Sequence, residues 1–194
     1  HSITISAAPA GGSLQQNILY AMIRRANEGK LDLIVTGNDS DIRRTWMHST
    51  GTDASAIFQT NREGETIDVN TLLSYAGSGG DEMTFLMVPT QEGERRGVDR
   101  DNDSIYSGDE ADFNTDPANP RDHLWVDQDY TETSNGSQAM PYKFLWVGLA
   151  FLQPSPGMSK AIHIEAGSYP SDTTLDEPLW IIAENGTVTL TGTP

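Results

Sequence analysis

Apolar and polar positions alternate along this chain with two different periods, and the change from one to the other marks its elements. Ser2 to Ser6 alternates as a short strand does. After a Gly-rich turn, Ser13-Leu14-Gln15-Gln16 has the spacing of a capping box, in which the first side chain accepts a backbone N–H three residues on. Ile18, Leu19, Met22, Ile23 and Ala26 then recur at helical spacing, which predicts a core-facing helix stopped by a left-handed cap at Gly29. Leu31–Thr36, Arg44–His48 and Ala56–Thr60 read as strands. A second helix is expected from Asp68, as cap, to Tyr75, closed by Gly77. A strongly apolar strand, Glu82–Val88, ends at Pro89.

Residues 1–90 thus alternate helix and strand, which predicts a small α+β domain. Residues 91–120 shift to Asp, Asn, Gly and Pro, the composition of a junction. From residue 121 to 194 the pattern turns β-rich again, interrupted by an apolar helical stretch, Tyr142–Leu152, behind Pro141 and ahead of Pro154 and Pro156. The predicted fold class is therefore α+β: a small α+β domain joined through an acidic loop to a β-rich unit.

Composition narrows the chemistry. With 28 acidic against 12 basic residues and a formal charge of −16, the chain repels nucleic acid and anionic membrane surfaces and favours cations. It has no cysteine, which removes disulfides, zinc–thiolate sites and thiol nucleophiles. No apolar run approaches the roughly 18 residues a membrane helix needs. The chain begins at His1 without a charged-then-apolar leader, and is read as a processed, secreted fragment, extracellular or on the cell surface.

The segment Asp99-Arg100-Asp101-Asn102-Asp103-Ser104-Ile105-Tyr106-Ser107-Gly108-Asp109-Glu110 follows the twelve-residue EF-hand loop. Calcium takes six to eight hard oxygen ligands, and carboxylates on alternate residues converge on one ion as the chain curls round it. Asp99, Asp101 and Asp103 would supply positions one, three and five, the Ile105 carbonyl position seven, Ser107 position nine, and Glu110 a closing bidentate carboxylate, with Asp109 beside it. Position six is usually Gly. Here it is Ser104, and a non-Gly residue at positive φ there costs about 1 kcal/mol. The plain alternative is a solvated acidic linker. Asp112, Asn114 and Asp116 offer a weaker second alternation.

Val88-Pro89, Gly93, Arg95-Arg96-Gly97, the acidic loop and Thr115-Asp116-Pro117-Ala118-Asn119-Pro120 together resemble a recurrent segment of large secreted bacterial proteins. In those, a small α+β domain is followed by a calcium loop of the dockerin and thrombospondin type-3 kind. Trp125-Val126-Asp127, Gly136-Ser137, Pro141-Tyr142, Gly148-Leu149-Ala150 and Ile162–Pro170 resemble the entry to a right-handed parallel β-helix of the pectin-lyase-like class, with a helix over its open end. The resemblance implies a coil continuing through Thr173–Leu175, Leu179–Ala183 and Thr187–Thr191.

A coil of this kind cannot bury its apolar face alone. It either collapses on the preceding helix or is covered by another copy, with Ser2–Ser6 as a loose strand available for donation into a head-to-tail filament. The expected function is a non-catalytic, calcium-stabilised structural or adhesive module that is a possible homo-oligomer. A carbohydrate-binding or carbohydrate-active fragment is the rival.

His1, His48, His123 and His163 are scattered without a zinc spacing, and no Gly-x-Ser-x-Gly elbow is present. A carboxylate pair such as Asp127 with Glu165 has the residue types for glycoside acid–base chemistry, but one coil offers no cleft long enough to hold a polymer. Trp46, Trp125, Trp146 and Trp180 sit in apolar segments and read as core rather than sugar platforms. Asn38, Asn102, Asn135 and Asn185 match the N-glycosylation pattern. Arg95-Arg96 reads as an offset to the acidic loop.

Overall fold

The Ser13 hydroxyl accepts the Gln16 N–H at 3.2 Å and opens helix α1 (Leu14–Asn27). The Gln16 side chain reaches back to the Gly12 N–H at 2.6 Å, so the reciprocal half of the predicted box falls one residue outside the cap. At the far end Gly29 (φ +66) turns left-handed, with Gly29 N–H on the Ala26 carbonyl and Lys30 N–H on the Arg25 carbonyl, the pair of bonds that defines a Schellman cap. Leu19, Met22 and Ile23 face inward, as the spacing requires.

The structure is a computed structural model that describes residues 1–39, 42–77, 81–170 and 178–192. Helices and sheets are both present, an α+β organisation, and the chain divides into two compact units, His1–Arg100 and Asp101–Pro194. The expected junction over 91–120 is thus shared out, its first ten residues folding with the N-terminal unit.

In that unit the strands are β1 (Ser2–Ile5), β2 (Asp32–Asp39), β3 (Ile42–Thr50), β4 (Ile57–Thr60), β5 (Thr66–Asp68) and β6 (Met83–Val88). They form one six-stranded antiparallel sheet in the order β1-β6-β2-β3-β4-β5. Helix α2 (Val69–Ser74) follows its predicted cap, Asp68, whose carboxylate accepts the Asn70 and Thr71 N–H groups. Leu33, Val35, Phe58, Met83 and Phe85 on one face of the sheet pack with Leu19, Ile23, Val69 and Leu72 of the two helices. The N-terminal strand is not loose. β1 pairs with β6 from Ser2↔Leu86 to Ile5↔Met83, and Ile5 is fully buried.

Helix α3 (Gly93–Gly97) also belongs to this unit, and its glycines permit its close approach. A Cβ on Gly93 would stand 2.6 Å from the Asp32 Cβ, and one on Gly97 3.1 Å from the Ile34 Cγ2. The Gly93 N–H donates to the Asp32 carboxylate at 2.9 Å. Arg95 and Arg96 both pair with Glu92, at 2.8 and 3.0 Å, rather than with the acidic loop.

The second unit holds α4 (Ser107–Phe113), β7 (His123–Val126), α5 (Leu145–Phe151), β8 (Ala161–Pro170) and β9 (Trp180–Thr191). Its three strands run parallel in the order β7-β8-β9, with Leu124↔Ile162↔Ile181 in register. Among the described residues they close neither a barrel nor a solenoid. The two expected segments of the last coil are one strand, β9, kinked at Asn185 (φ 55) and Gly186 (φ 145) opposite a register shift in β8. The expected segment Thr173–Leu175 lies outside the described residues.

Helix α5 starts three residues later than predicted, because Tyr142 is held by β7: its N–H donates to the Trp125 carbonyl and its carbonyl accepts the Asp127 N–H. Gly148 lets α5 lie close on the strands, since a Cβ there would sit 2.9 Å from both Ile162 and Val126 side chains. The core of this unit gathers Leu124, Val126, Leu145, Leu152, Ile162, Ile164 and Tyr169.

Candidate metal centre

The route to the acidic loop begins at α3. Its last turn sends the Val98 and Asp99 N–H groups to the Glu94 carbonyl at 2.8 and 3.0 Å, and Val98 is buried, so Asp99 leaves the helix in a fixed direction. The chain then curls through two left-handed residues, Asn102 (φ 64) and Ser104 (φ 80). Between them Asp103 accepts the Ile105 N–H at 2.8 Å, a side-chain-to-backbone turn that needs no metal. Ser104 adopts the positive φ that position six of an EF-hand loop demands.

One carboxylate oxygen from each of Asp99, Asp101 and Asp103 lies within 4.8 Å of the other two. Asp99 and Asp103 are buried and Asp101 is half-buried. At that spacing each ionised pair repels by on the order of 3 kcal/mol at an effective dielectric of about 20. A hard divalent cation turns that repulsion into attraction. The donor set fits: oxygen only, anionic, and on alternate residues of a curling chain.

The other predicted residues are placed differently. Ser107, Asp109 and Glu110 lie on α4. Asp109 and Glu110 occupy its first turn, where a negative charge meets the positive end of the helix dipole. Asp109 does not join the convergent trio. Glu110, fully buried, has a carboxylate oxygen within 4.8 Å of Asp122 and His123 ligand atoms. Ile105 is tied to the loop by its N–H, which donates to the Asp103 carboxylate. Of the second alternation, Asn114 (φ 56) is the left-handed cap of α4, and Asp116 accepts the Ser155 hydroxyl at 2.5 Å.

Sequence reasoning missed the buried polar cluster behind α4. Thr115 N–H returns to the Glu110 carbonyl at 3.0 Å, and the Thr115 hydroxyl donates to the same oxygen at 3.1 Å. The hydroxyl oxygen stands 2.8 Å from His123 Nε2, His123 Nδ1 stands 3.0 Å from His163 Nε2, and His163 Nδ1 stands 2.8 Å from Glu184 Oε1. Every bond in this row is satisfied when His123 is neutral with its proton on Nε2 and His163 carries both ring protons opposite the Glu184 carboxylate.

Burial, and secondarily the charge on His163, pushes His123 down to about 3. Both its ring nitrogens are engaged, which leaves no lone pair for a metal. Asp122 is pushed up to about 6, chiefly by burial. Its Oδ2 accepts the Asp116 N–H at 2.6 Å, while its Oδ1 is buried without a hydrogen-bond partner among the described residues. No sequence signal marks this row, because His123 and His163 meet only through the pairing of β7 with β8.

Asp127 and Glu165 are each engaged locally, Asp127 Oδ1 by the Asp129 N–H and Glu165 by the Asn185 amide. Trp46 and Trp125 are buried, as read from sequence, but Trp146 and Trp180 are 60% and 49% exposed. The apolar segments round them belong to a one-sided helix and an outer strand, and these two tryptophans fall on the uncovered sides. No protein-family model, curated protein or solved structure matches this chain.

Proposed function

We propose that the chain is a non-catalytic, extracellular structural or adhesive module whose acidic loop is folded and stabilised by calcium. The observation that carries this is the convergence of Asp99, Asp101 and Asp103 on one point, two of them buried, with Ser104 in the backbone conformation such a loop needs. The Ile105 carbonyl, Ser107 and Glu110 are the further ligands that the loop pattern calls for, and Glu110 would have to turn from Asp122 and His123 to take its place. Calcium, when bound, would supply the positive charge that offsets the three carboxylates. The protein's own residues curl the loop and fix its entry through Asp99 and its exit through α4.

The short parallel sheet β7-β8-β9 with α5 laid across it supports a β-helix-like second unit. Head-to-tail assembly by donation of β1 forms no part of the reading, because that strand is already bonded to β6.

Thermal melting of EDTA-stripped protein across a calcium titration tests it. A ligand that binds only the folded state raises stability by RT ln(1 + [L]/Kd), so the midpoint should climb steadily with calcium and fall back on adding chelator. An unchanged midpoint up to millimolar calcium, with no bound ion by equilibrium dialysis, overturns the proposal.

A further inference from the structure

On the second unit a solvent-open cavity of about 820 Å³ is lined by Gln128, Asp129, Lys143, Phe144, Trp146 and Tyr169, among others. Its aromatic wall is built by the phase of α5. Leu145, Gly148 and Leu152 turn inward to the strands, which leaves Trp146 60% exposed, and the extended residue before the helix leaves Phe144 50% exposed. Their rings are 20° from parallel with centroids 6.2 Å apart. Two adjacent large aromatic side chains left in water beside polar groups in a concavity have the mixed lining of a ligand site.

The polar wall is held firmly. The Tyr169 hydroxyl accepts the Gln128 N–H at 3.2 Å and donates to the Glu165 carbonyl at 3.0 Å, which fixes both residues. The Gln128 amide lies over Gly167, where a Cβ would meet it at 2.6 Å. The Asp129 N–H is bonded to Asp127 Oδ1 at 2.9 Å. None of the three side-chain groups, the Gln128 amide, the Asp129 carboxylate and the Lys143 ammonium, makes a hydrogen bond or ion pair with another described residue. The cavity therefore presents an aromatic wall of two stacked rings flanked by one acceptor, one donor and one group that is both.

That combination suits a pyranose ring, whose C–H face packs on aromatic carbon while its hydroxyls both donate and accept. A formal charge of −16 disfavours uronates and phosphate-bearing ligands. We infer that this cavity binds a neutral polysaccharide, one sugar ring packing against the exposed aromatic wall that Trp146 forms with Phe144 and its hydroxyls reaching Gln128, Asp129 and Lys143. This site is separate from the acidic loop and does not rest on the calcium reading.

Isothermal titration and tryptophan fluorescence with cellohexaose, laminarihexaose and mannohexaose test it, with hexagalacturonate as the charged comparator, each in calcium and after EDTA. At least one neutral hexasaccharide should bind in both conditions. Trp146→Ala and Phe144→Ala should each weaken it about tenfold or more, with circular dichroism unchanged because both side chains are exposed. Trp180→Ala, at a tryptophan 49% exposed and outside the cavity, should leave it unaltered. No binding of any neutral hexasaccharide, equal binding by Trp146→Ala, preference for hexagalacturonate, or a Trp146-dependent self-association in place of sugar binding each overturns the inference.

Discussion

His123 Nδ1 and His163 Nε2 lie 3.0 Å apart inside the second unit, on strands that run side by side, and both imidazoles are almost fully buried. Forty residues separate them in sequence. Parallel register brings them together, and the row they form runs from Glu184 on β9 to the carbonyl of Glu110 on α4.

That pair gives acid stability a definite shape. His123 sits at about 3 when folded against an ordinary 6.5, so the unfolded chain takes up its proton first and stability is lost as pH falls from about 6.5 towards 3. Asp122 has the opposite sign. Raised to about 6, it is protonated first in the folded state, so it returns stability as pH falls from about 6 to 3.8. In calcium-stripped wild type the two contributions largely cancel between pH 6 and 4. In Asp122→Asn the offset is gone, and the variant should lose roughly 3 kcal/mol more than wild type between pH 6.5 and 4. Urea midpoints at half-unit pH steps measure this, and parallel curves for the two proteins would contradict it.

Ser104 is held at φ 80, where its Cβ is crowded. Ser104→Gly should raise stability by roughly 0.5–1 kcal/mol and tighten calcium by a few fold, the relief exceeding the added chain entropy of glycine. Chemical denaturation and calcium titration of the variant give both numbers. Lower stability and weaker calcium binding in Ser104→Gly would mean that the hydroxyl matters more than the backbone.

Asp103 and Asp109 carry the same charge in the same acidic run, but it is Asp103 that groups with Asp99 and Asp101 within 4.8 Å. Asp103→Asn should reduce calcium affinity about tenfold or more, and Asp109→Asn by about threefold at most, through loss of general charge and of its place at the start of α4. Competition with a calcium chelator dye separates these. Equal losses would show that charge density, rather than a shaped site, attracts the ion.

Gly93 lies against Asp32 and Met47, with no room for a methyl group. Gly93→Ala should cost about 1–3 kcal/mol in thermal or urea unfolding. Gly64, in a left-handed turn with nothing within 4 Å of its Cβ position, is the control, where the cost of alanine is conformational alone.

What can be read from the sequence follows how local each signal is. The Ser13 cap, the Gly29 stop and the Asp68 cap are decided within a few residues, and they stand where the periodicity puts them. So does the left-handed Ser104, because the three-aspartate alternation fixes where the loop must turn. The start of α5 is misplaced by sequence because Pro141 suits a first helical position, yet a bond from Tyr142 to a strand far back in the chain holds that residue extended. Trp146 and Trp180 mislead for a related reason: an apolar run shows which side chains prefer burial, not which face finds a partner. β1 looks expendable in sequence because its pairing partner, β6, lies some eighty residues away. The imidazole row carries no motif, since nothing in the spacing of His123 and His163 announces a shared register.

The approach of α3 has a bearing on the acidic loop that distance from the carboxylates conceals. Asp99 owes its direction to a five-residue helix clamped on strands β2 and β3 by missing side chains at Gly93 and Gly97. Loosening that clamp, by a bulkier residue at position 97 or a gap beneath Ile34, would present a cation with one carboxylate out of place while every ligand remained in the sequence. Ion uptake would thereby report on the integrity of a β-sheet that supplies none of the three converging carboxylates.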